Sequence, residues 1–235
     1  PGQGSQAVGM LRDLACLFPE VLDSLAEADR AVAAQAQDDT DTRRLSDRIY
    51  PPTRFDPEAR KGHDADLRDT ANAQPALGAV SFGAWRVLCE RFGVRATAFA
   101  GHSYGELVAL AAAERFAPPD LFHLSRLRGR LMGERRPGDP GTMLAVLAPL
   151  AAIEGVIAEH KLDVVVANRN GPKQSVVSGA TPEIDRAQQA FAAARMKSVR
   201  LPVAAAFHSP LVADAAAPFL AALEGVEFGR GTVPV

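Results

Sequence analysis

The chain has 235 residues, 47% of them hydrophobic and 23% charged. That is ordinary globular composition and excludes a disordered chain; at ~150 residues per domain it suits one large domain or a domain with an inserted subdomain. Lys plus Arg total 26 against 28 Asp plus Glu, a formal net charge of −2, so no basic excess is present to neutralise nucleic-acid phosphates or a membrane surface.

The longest apolar run, residues 107–113, ends at Glu114, well short of the ~20 apolar residues of a spanning helix. The two cysteines, Cys16 and Cys89, read as reduced, buried thiols of a cytoplasmic protein. No secretory signal pattern is visible, and a start at Pro1 rather than Met suggests a natural N-terminus further upstream.

Residues 1–9 form a glycine-rich loop. A helix follows, with Val21, Leu22, Leu25 and Ala28 on one face. Residues 38–69 read as an irregular, solvated excursion, with Asp38, Asp39 and Asp41 against Arg43 and Arg44, then Pro51, Pro52 and Pro57. A helix is expected over residues 75–91, stopping near Gly93. Its internal Gly78 and Gly83 each cost ~1 kcal/mol against Ala, which points to close packing on another backbone. Residues 96–100 read as a short buried strand, 101–105 as a tight turn and 106–115 as a helix.

Residues 142–201 carry the clearest topology. Strands are expected at 142–147, 163–167, 175–178 and 198–201. Helices fall at 149–160 and at 182–194, the latter capped by Thr181 with Pro182 at its first position. The order β-α-β-β-α-β is that of a ferredoxin-like unit. The fold class is therefore α/β, with the small unit at 141–201 inserted in a larger one made of 1–140 and 202–235.

The chemistry centres on Gly101-His102-Ser103-Tyr104-Gly105, a G-x-S-x-G pattern between an expected strand and helix. The glycines permit a sharp turn that exposes the serine hydroxyl, with the Tyr104 N–H beside it to face a developing oxyanion. The five-residue pattern alone is weak, and the alternative is a buried turn serine. A serine nucleophile needs a base. Of the five histidines, His63, His123 and His160 read as structural or solvated, and His102 adjoins the serine but points elsewhere on such a turn. His208, between Phe207 and Ser209-Pro210, is a candidate that the residues alone leave open. Arg126, Arg128 and Arg130 are likewise not separable.

Taken together and in order, Pro1-Gly2-Gln3-Gly4-Ser5-Gln6, Gly101-His102-Ser103-Tyr104-Gly105-Glu106, Arg128-Gly129-Arg130-Leu131-Met132 and Phe207-His208-Ser209 resemble the malonyl-CoA:acyl-carrier-protein transacylase family, which includes acyltransferase domains of polyketide and fatty acid synthases. Gln74-Pro75-Ala76-Leu77 and Asn168-Arg169-Asn170-Gly171-Pro172-Lys173-Gln174 resemble further family blocks, so the likeness covers essentially the whole chain. The resemblance implies an α/β-hydrolase-like large subdomain around a ferredoxin-like small one. Ser103 matches the acylated nucleophile and His208 its general base. Gln3 and Tyr104 match the oxyanion donors. Arg128 matches the arginine that grips a malonyl carboxylate, a task suited to a planar guanidinium. His102, Phe207, Gln74 and Asn168 then fall among the substrate-binding positions.

The implied reaction is ping-pong: malonyl-CoA acylates Ser103, and the phosphopantetheine thiol of an acyl carrier protein takes the acyl group. No permanently bound cofactor is implied. Partners are the carrier and neighbouring synthase domains, with Arg126, Arg130, Arg135 and Arg136 as a candidate basic patch for an acidic carrier. Phe207 before His208 resembles malonyl-selective domains, because a bulky ring would crowd an α-methyl; a methyl is worth only ~1–3 kcal/mol. Tyr104, with Tyr50-Pro51-Pro52 in the preceding insert, resembles iterative synthases of the enediyne and polyunsaturated fatty acid kind.

Several features stand apart. Relative to the family, the chain reads as an excised piece, since a first strand and a C-terminal part that orients the histidine are not in it. Gly2-Gln3-Gly4-Ser5-Gln6-Ala7 formally fits a dinucleotide fingerprint but lacks the preceding strand. Metal catalysis is not suggested, because no H-E-x-x-H occurs and the cysteines lie far apart. The alternatives are a serine hydrolase or editing thioesterase, against which Arg128 argues, and a non-catalytic carrier-docking module.

Overall fold

The computed structural model describes residues 2–35, 43–133 and 138–235. Asp38, Asp39, Asp41, Arg135 and Arg136 lie outside the described residues. The chain divides into two units, Pro1–Leu131 with Pro218–Val235, and Met132–Ala217.

The first unit opens with a loop and then α1 (Arg12–Leu17) and α2 (Pro19–Ala34). Val21, Leu25, Ala28 and Val32 form the buried stripe of α2, at the spacing of one helix face. Leu22, expected on that face, is 54% exposed, because it sits about 100° around the helix from Val21.

The expected irregular excursion is partly helical. α3 (Leu45–Ile49) and α4 (Pro57–Arg68) bring Leu45, Ile49 and Leu67 into the main core. Asp56 caps α4 by accepting from the Glu58 and Ala59 N–H groups, with Pro57 at the first helical position. Of the charges that suggested a solvated loop, the described Arg43 and Arg44 precede α3 and are exposed. Arg43 and the buried Arg48 both pair with Asp66.

α5 (Thr70–Arg86) is the central element, followed by a π-helical turn, Val87–Arg91. It starts before Pro75, contrary to expectation. Asp69 accepts the Ala71 N–H at 2.8 Å and supplies the cap. Its other end matches the sequence reading: Gly93 closes it at φ 64°, the left-handed stop that glycine favours. Residues on nearly every side of α5 are buried, against Val21 and Leu25 of α2, Leu107 of α6 (Gly105–Ala112) and Phe122 of α7 (Pro118–Gly133). Gly83 faces the Val21 backbone, where a Cβ would lie 3.0 Å from the Val21 Cα. Gly78 differs from expectation, since it makes room for the Tyr104 side chain rather than a backbone.

Residues 96–100 are not a buried strand. Most are exposed, and among the described residues the backbone pairing of this stretch is Phe99 N–H to the Pro234 carbonyl at 2.9 Å. A single bond does not make a ladder, and isolated extended segments are marginal in water. The cysteine expectation also fails in part: Cys16 is exposed and Cys89 half-buried.

The second unit holds β1 (Thr142–Leu147), α8 (Leu150–Glu159), β2 (Val164–Gly171), β3 (Gln174–Gly179), α9 (Thr181–Ala193) and β4 (Lys197–Arg200). The four strands form an antiparallel sheet in the order β2-β3-β1-β4. β1 is buried on both faces, as a central strand must be when both sides are covered. Leu144 and Val146 pack on Ile153, Ile184 and Phe191, while Met143 and Ala145 pack with Val176, Ala205 and Phe207. A Pro210–Ala215 3-10 turn follows, then α10 (Ala216–Glu224).

Thr181 does not cap α9 as expected; Ala180 occupies the cap position without a side-chain bond. Asp139 serves instead from a distant loop. Its carboxylate accepts Thr181 Oγ1 at 2.6 Å, the Thr181 N–H at 2.5 Å and the Gly141 N–H at 2.9 Å. The Thr181 hydroxyl, then the Gly141 N–H, hold the Asp139 pKa below the ordinary carboxylate value. A depressed folded pKa means this stabilisation is present above the unfolded value and lost as pH falls through the folded one. Asp139→Ala should cost about 1 kcal/mol at neutral pH, typical of a lost helix cap. Thermal unfolding followed against pH should show its gap from the parent chain closing in acid. A pH-independent gap would assign the effect to something other than the carboxylate.

Candidate active site

The structure divides the candidate residues between the units. Gln3, Gln74, His102, Ser103, Tyr104 and Arg128 belong to the first; Asn168, Phe207 and His208 belong to the second.

Ser103 sits at the turn entering α6 with φ 51°, left-handed backbone that costs a non-glycine residue roughly 1–2 kcal/mol. The turn is closed by Gly105 N–H to the His102 carbonyl at 2.9 Å and Glu106 N–H to the Ser103 carbonyl at 3.1 Å. A Cβ at Gly101 would overlap the Gly105 carbonyl and the Glu106 nitrogen. Backbone atoms are what it would strike, so no side-chain rotation relieves the clash. Gly101→Ala should therefore lower stability by about 3 kcal/mol or more and deprive the turn of its shape. Chemical denaturation reads this directly, and a variant as stable as the parent chain would contradict the geometry. The turn also places Ser103 at the N-terminal end of α6, the end of a helix that favours negative charge near it.

Beneath the turn, the Tyr104 side chain is fully buried and its hydroxyl lies 2.7 Å from Ser125 Oγ of α7. Ser125 donates its one proton to the Leu121 carbonyl, so Tyr104 is the donor of the pair. Burial pushes the phenol pKa far above its ordinary range, which keeps the group neutral. The ring thus anchors α6 to α5 and α7, while the backbone of Tyr104 stays at the turn.

The opening loop packs on this turn. A Cβ at Gly2 would lie 3.1 Å from the His102 carbonyl oxygen and 3.2 Å from its Nδ1. Gln3 Nε2 donates to Thr70 Oγ1 at the start of α5 at 3.0 Å. Gln3 is thus tied to the start of α5 by a specific hydrogen bond, and Gly2 leaves little room beside His102.

The three arginines of α7, inseparable by sequence, have different surroundings. Arg130 is exposed and reaches the Gln35 carbonyl at 3.5 Å. Arg126 is buried and bonds to Ala71 and Asn72, which removes it from the expected basic surface patch. Arg128 is half-buried and donates to Oε1 of the fully buried Gln74 at 2.9 Å. Burial lowers its pKa, partly offset by the Tyr104 and Glu106 oxygens. A guanidinium stays protonated through neutral pH, so Arg128 is a poorly solvated cation, the condition under which binding an anion is most favourable.

In the second unit, His208 is exposed at φ 59°. Ser209 Oγ donates to the Ala206 carbonyl at 2.6 Å and accepts the Leu211 N–H at 3.3 Å. The Ala206 N–H donates to the Pro140 carbonyl at 2.9 Å. The Phe207 ring is buried against Met143, Ala145 and Val176. Asn168 lies on edge strand β2 at a register shift between residues 166 and 168, a bulge of the kind that re-aims side chains.

Sequence reasoning missed Thr70, Asn72 and Ser125, whose partners are distant in the chain. The signal for the first two was Asp69, a cap residue just before a helix start. A cavity of about 720 Å³ in the first unit, lined by Trp85, Arg86, Arg115 and Phe116, shares no lining residue with these candidates. Among the described residues, no cluster of His, Cys, Asp and Glu could hold a metal, and no helix is long and apolar enough to cross a membrane.

The protein is thus of the α/β class with a small antiparallel sheet. Residues 1–234 match the acyl transferase domain family. The malonyl CoA-acyl carrier protein transacylase of Escherichia coli O157:H7 is 33% identical over 239 residues, spanning 100% of this chain and 71% of that protein. A spectinabilin polyketide synthase system protein of Streptomyces orinoci is 34% identical over 236 residues, spanning 100% of this chain and 10% of that protein. The solved structure of a malonyl-transacylase in complex with a type II polyketide synthase acyl-carrier protein superposes with a TM-score of 0.86 at 33% identity, over 100% of this chain and 71% of that one. The chain belongs to the acyl transferase domain family, and it is an acyltransferase.

Proposed function

We propose that the protein moves a malonyl group from CoA to the phosphopantetheine thiol of an acyl carrier protein in polyketide or fatty acid synthesis. The observation that carries this reading is the Ser103 turn: a serine at positive φ, at a glycine turn with no room for a Cβ at Gly101, opening a helix.

Ser103 Oγ attacks the thioester carbonyl while His208 accepts its proton. The tetrahedral oxyanion takes hydrogen bonds from the backbone N–H groups of Tyr104 and Gln3. The C–S bond breaks, and His208 returns the proton to the CoA sulfur. The carrier thiol then gives its proton to His208 and attacks the Ser103 ester. Collapse releases the acylated carrier and restores the serine hydroxyl. Arg128, oriented by Gln74, takes the free malonyl carboxylate. His102, Phe207 and Asn168 complete the acyl-binding surroundings, with Phe207 disfavouring an α-methyl. The reaction needs no permanently bound cofactor.

The β-α-β-β-α-β order and the β2-β3-β1-β4 sheet support a ferredoxin-like small subdomain at 141–201. The remainder, 1–140 and 202–235, is then the α/β-hydrolase-like part, although residues 132–140 and 202–217 group by contact with the small unit. Neighbouring synthase domains and an acidic carrier are the partners, the latter approached through a basic surface that includes Arg130. The location is cytoplasmic. The Tyr104 and Tyr50-Pro51-Pro52 features favour an iterative host of the enediyne or polyunsaturated fatty acid kind, although Tyr50 also has a structural use, donating to the Met10 carbonyl at 3.0 Å.

Intact-protein mass spectrometry tests the reading. Malonyl-CoA should add one malonyl group, and holo-carrier protein should then discharge it. An adduct cleared by water as fast as by the carrier would indicate a hydrolase, and no adduct would remove the acyl-enzyme altogether.

A further inference from the structure

Arg126 has a role in this fold that the reaction itself does not call for. Pro75 is the sixth residue of α5. Proline has no N–H, so the carbonyl four residues before it, that of Ala71, loses its helical donor. A carbonyl left open in a packed helix needs another partner. Arg126 Nη1 provides one, donating to the Ala71 carbonyl at 3.0 Å and to Asn72 Oδ1 at 3.1 Å. Arg126 and Asn72 are each only 7% exposed. Asn72 is itself oriented, because its Nδ2 donates to the Asp66 carbonyl at 2.9 Å; that turns Oδ1 toward the arginine.

The same two helices meet again one turn further along α7. A Cβ at Gly129 would overlap the Thr70 carbonyl oxygen and lie 2.9 Å from the Ala71 Cα. Helix backbones approach this closely only at glycine, so α7 is pinned to the start of α5 at both 126 and 129. Arg128 lies between these anchors and donates to Gln74, the residue just before Pro75.

We propose that Arg126 is a positioning residue for the choice of acyl group: by closing the carbonyl that Pro75 opens, it clamps α7 to α5 and keeps Arg128 bonded to Gln74. This rests on the reading that Arg128 takes the acyl carboxylate. An acyl group without a carboxylate makes no use of Arg128, so loosening the clamp should be felt by malonyl and not by acetyl transfer.

The experiment measures acyl-enzyme formation on the full chain from malonyl-CoA and from acetyl-CoA. Arg126→Met should lower the malonyl rate ~10- to 100-fold, the scale of a small misplacement, and leave the acetyl rate within ~2-fold. Pro75→Ala in the same background should recover malonyl transfer, because the new N–H can satisfy Ala71 within the helix. A parallel fall of both substrates, as for a merely structural role, overturns the proposal, as does an unchanged malonyl rate. If Arg126→Met does not fold, Asn72→Ala removes one of the two acceptors and should shift the malonyl-to-acetyl ratio the same way; an unchanged ratio overturns the proposal. Arg128→Ala separates the two readings. If it leaves the ratio unchanged, the carboxylate reading fails and takes this proposal with it. If it collapses the ratio while Arg126→Met does not, only the positioning role is lost.

Discussion

Ser103→Ala is expected to abolish the acyl-enzyme and to lower transfer to the carrier by ~10⁴- to 10⁶-fold, the loss seen when a covalent nucleophile is removed from a coupled constellation. The drop should appear with malonyl-CoA and acetyl-CoA alike, since the hydroxyl makes the bond to either acyl group. Folding should survive, because alanine keeps the same backbone at φ 51°. Ser103→Gly sharpens the test. It removes the nucleophile too, but glycine adopts left-handed backbone freely, so this variant should be more stable than the parent chain by about 1 kcal/mol. An inactive protein that gains stability would mean that the turn holds strain in order to present the hydroxyl. Acylation persisting in both variants would move the nucleophile elsewhere.

The second large effect concerns selectivity. Arg128→Ala should reduce malonyl transfer ~10²-fold or more, the scale of removing one partner from a desolvated charge pair, while acetyl transfer changes little. Arg128→Lys should recover only part of it, because an ammonium cannot match a carboxylate with two parallel hydrogen bonds. The stability consequence has the opposite sign from that of breaking a buried ion pair. Burial lowers the Arg128 pKa, so the folded state holds this cation at a cost. Removing the charge should leave the melting temperature unchanged or slightly raised, with the loss of the hydrogen bond to the Gln74 oxygen limiting the gain. A large destabilisation alongside equal losses for both acyl groups would make Arg128 a structural residue. Since neither the guanidinium nor the malonyl carboxylate titrates near neutrality, the malonyl-to-acetyl ratio should be flat between about pH 6 and 9.

Much of the small unit was legible from its residues. The short apolar run at 142–147, turn residues at 170–172 and Pro182 near a helix start led to strands and helices found within a few positions, because each signal is local. The same local logic erred where a distant partner intervened. Thr181 has the chemistry of a cap, yet Asp139 performs that task from 42 residues away. Pro75 has the chemistry of a helix start, yet α5 runs through it, because Arg126 supplies the donor that the proline withholds. Residues 96–100 have the composition of a buried strand, but a strand exists only with neighbours, and composition does not name them.

Sequence by itself determined the family, the glycine turn around Ser103 and the candidate chemistry, since residue type and order along the chain carry these. Only the tertiary structure sorted Arg126, Arg128 and Arg130 into a clamp, a half-buried cation and an exposed side chain. They lie within five positions on one helix and share the same charge. What separates them is the carbonyl, the amide or the solvent that each meets, and those partners come from chain more than 50 residues away for the first two. Burial and pairing are properties of packing, which no local pattern of like residues can encode.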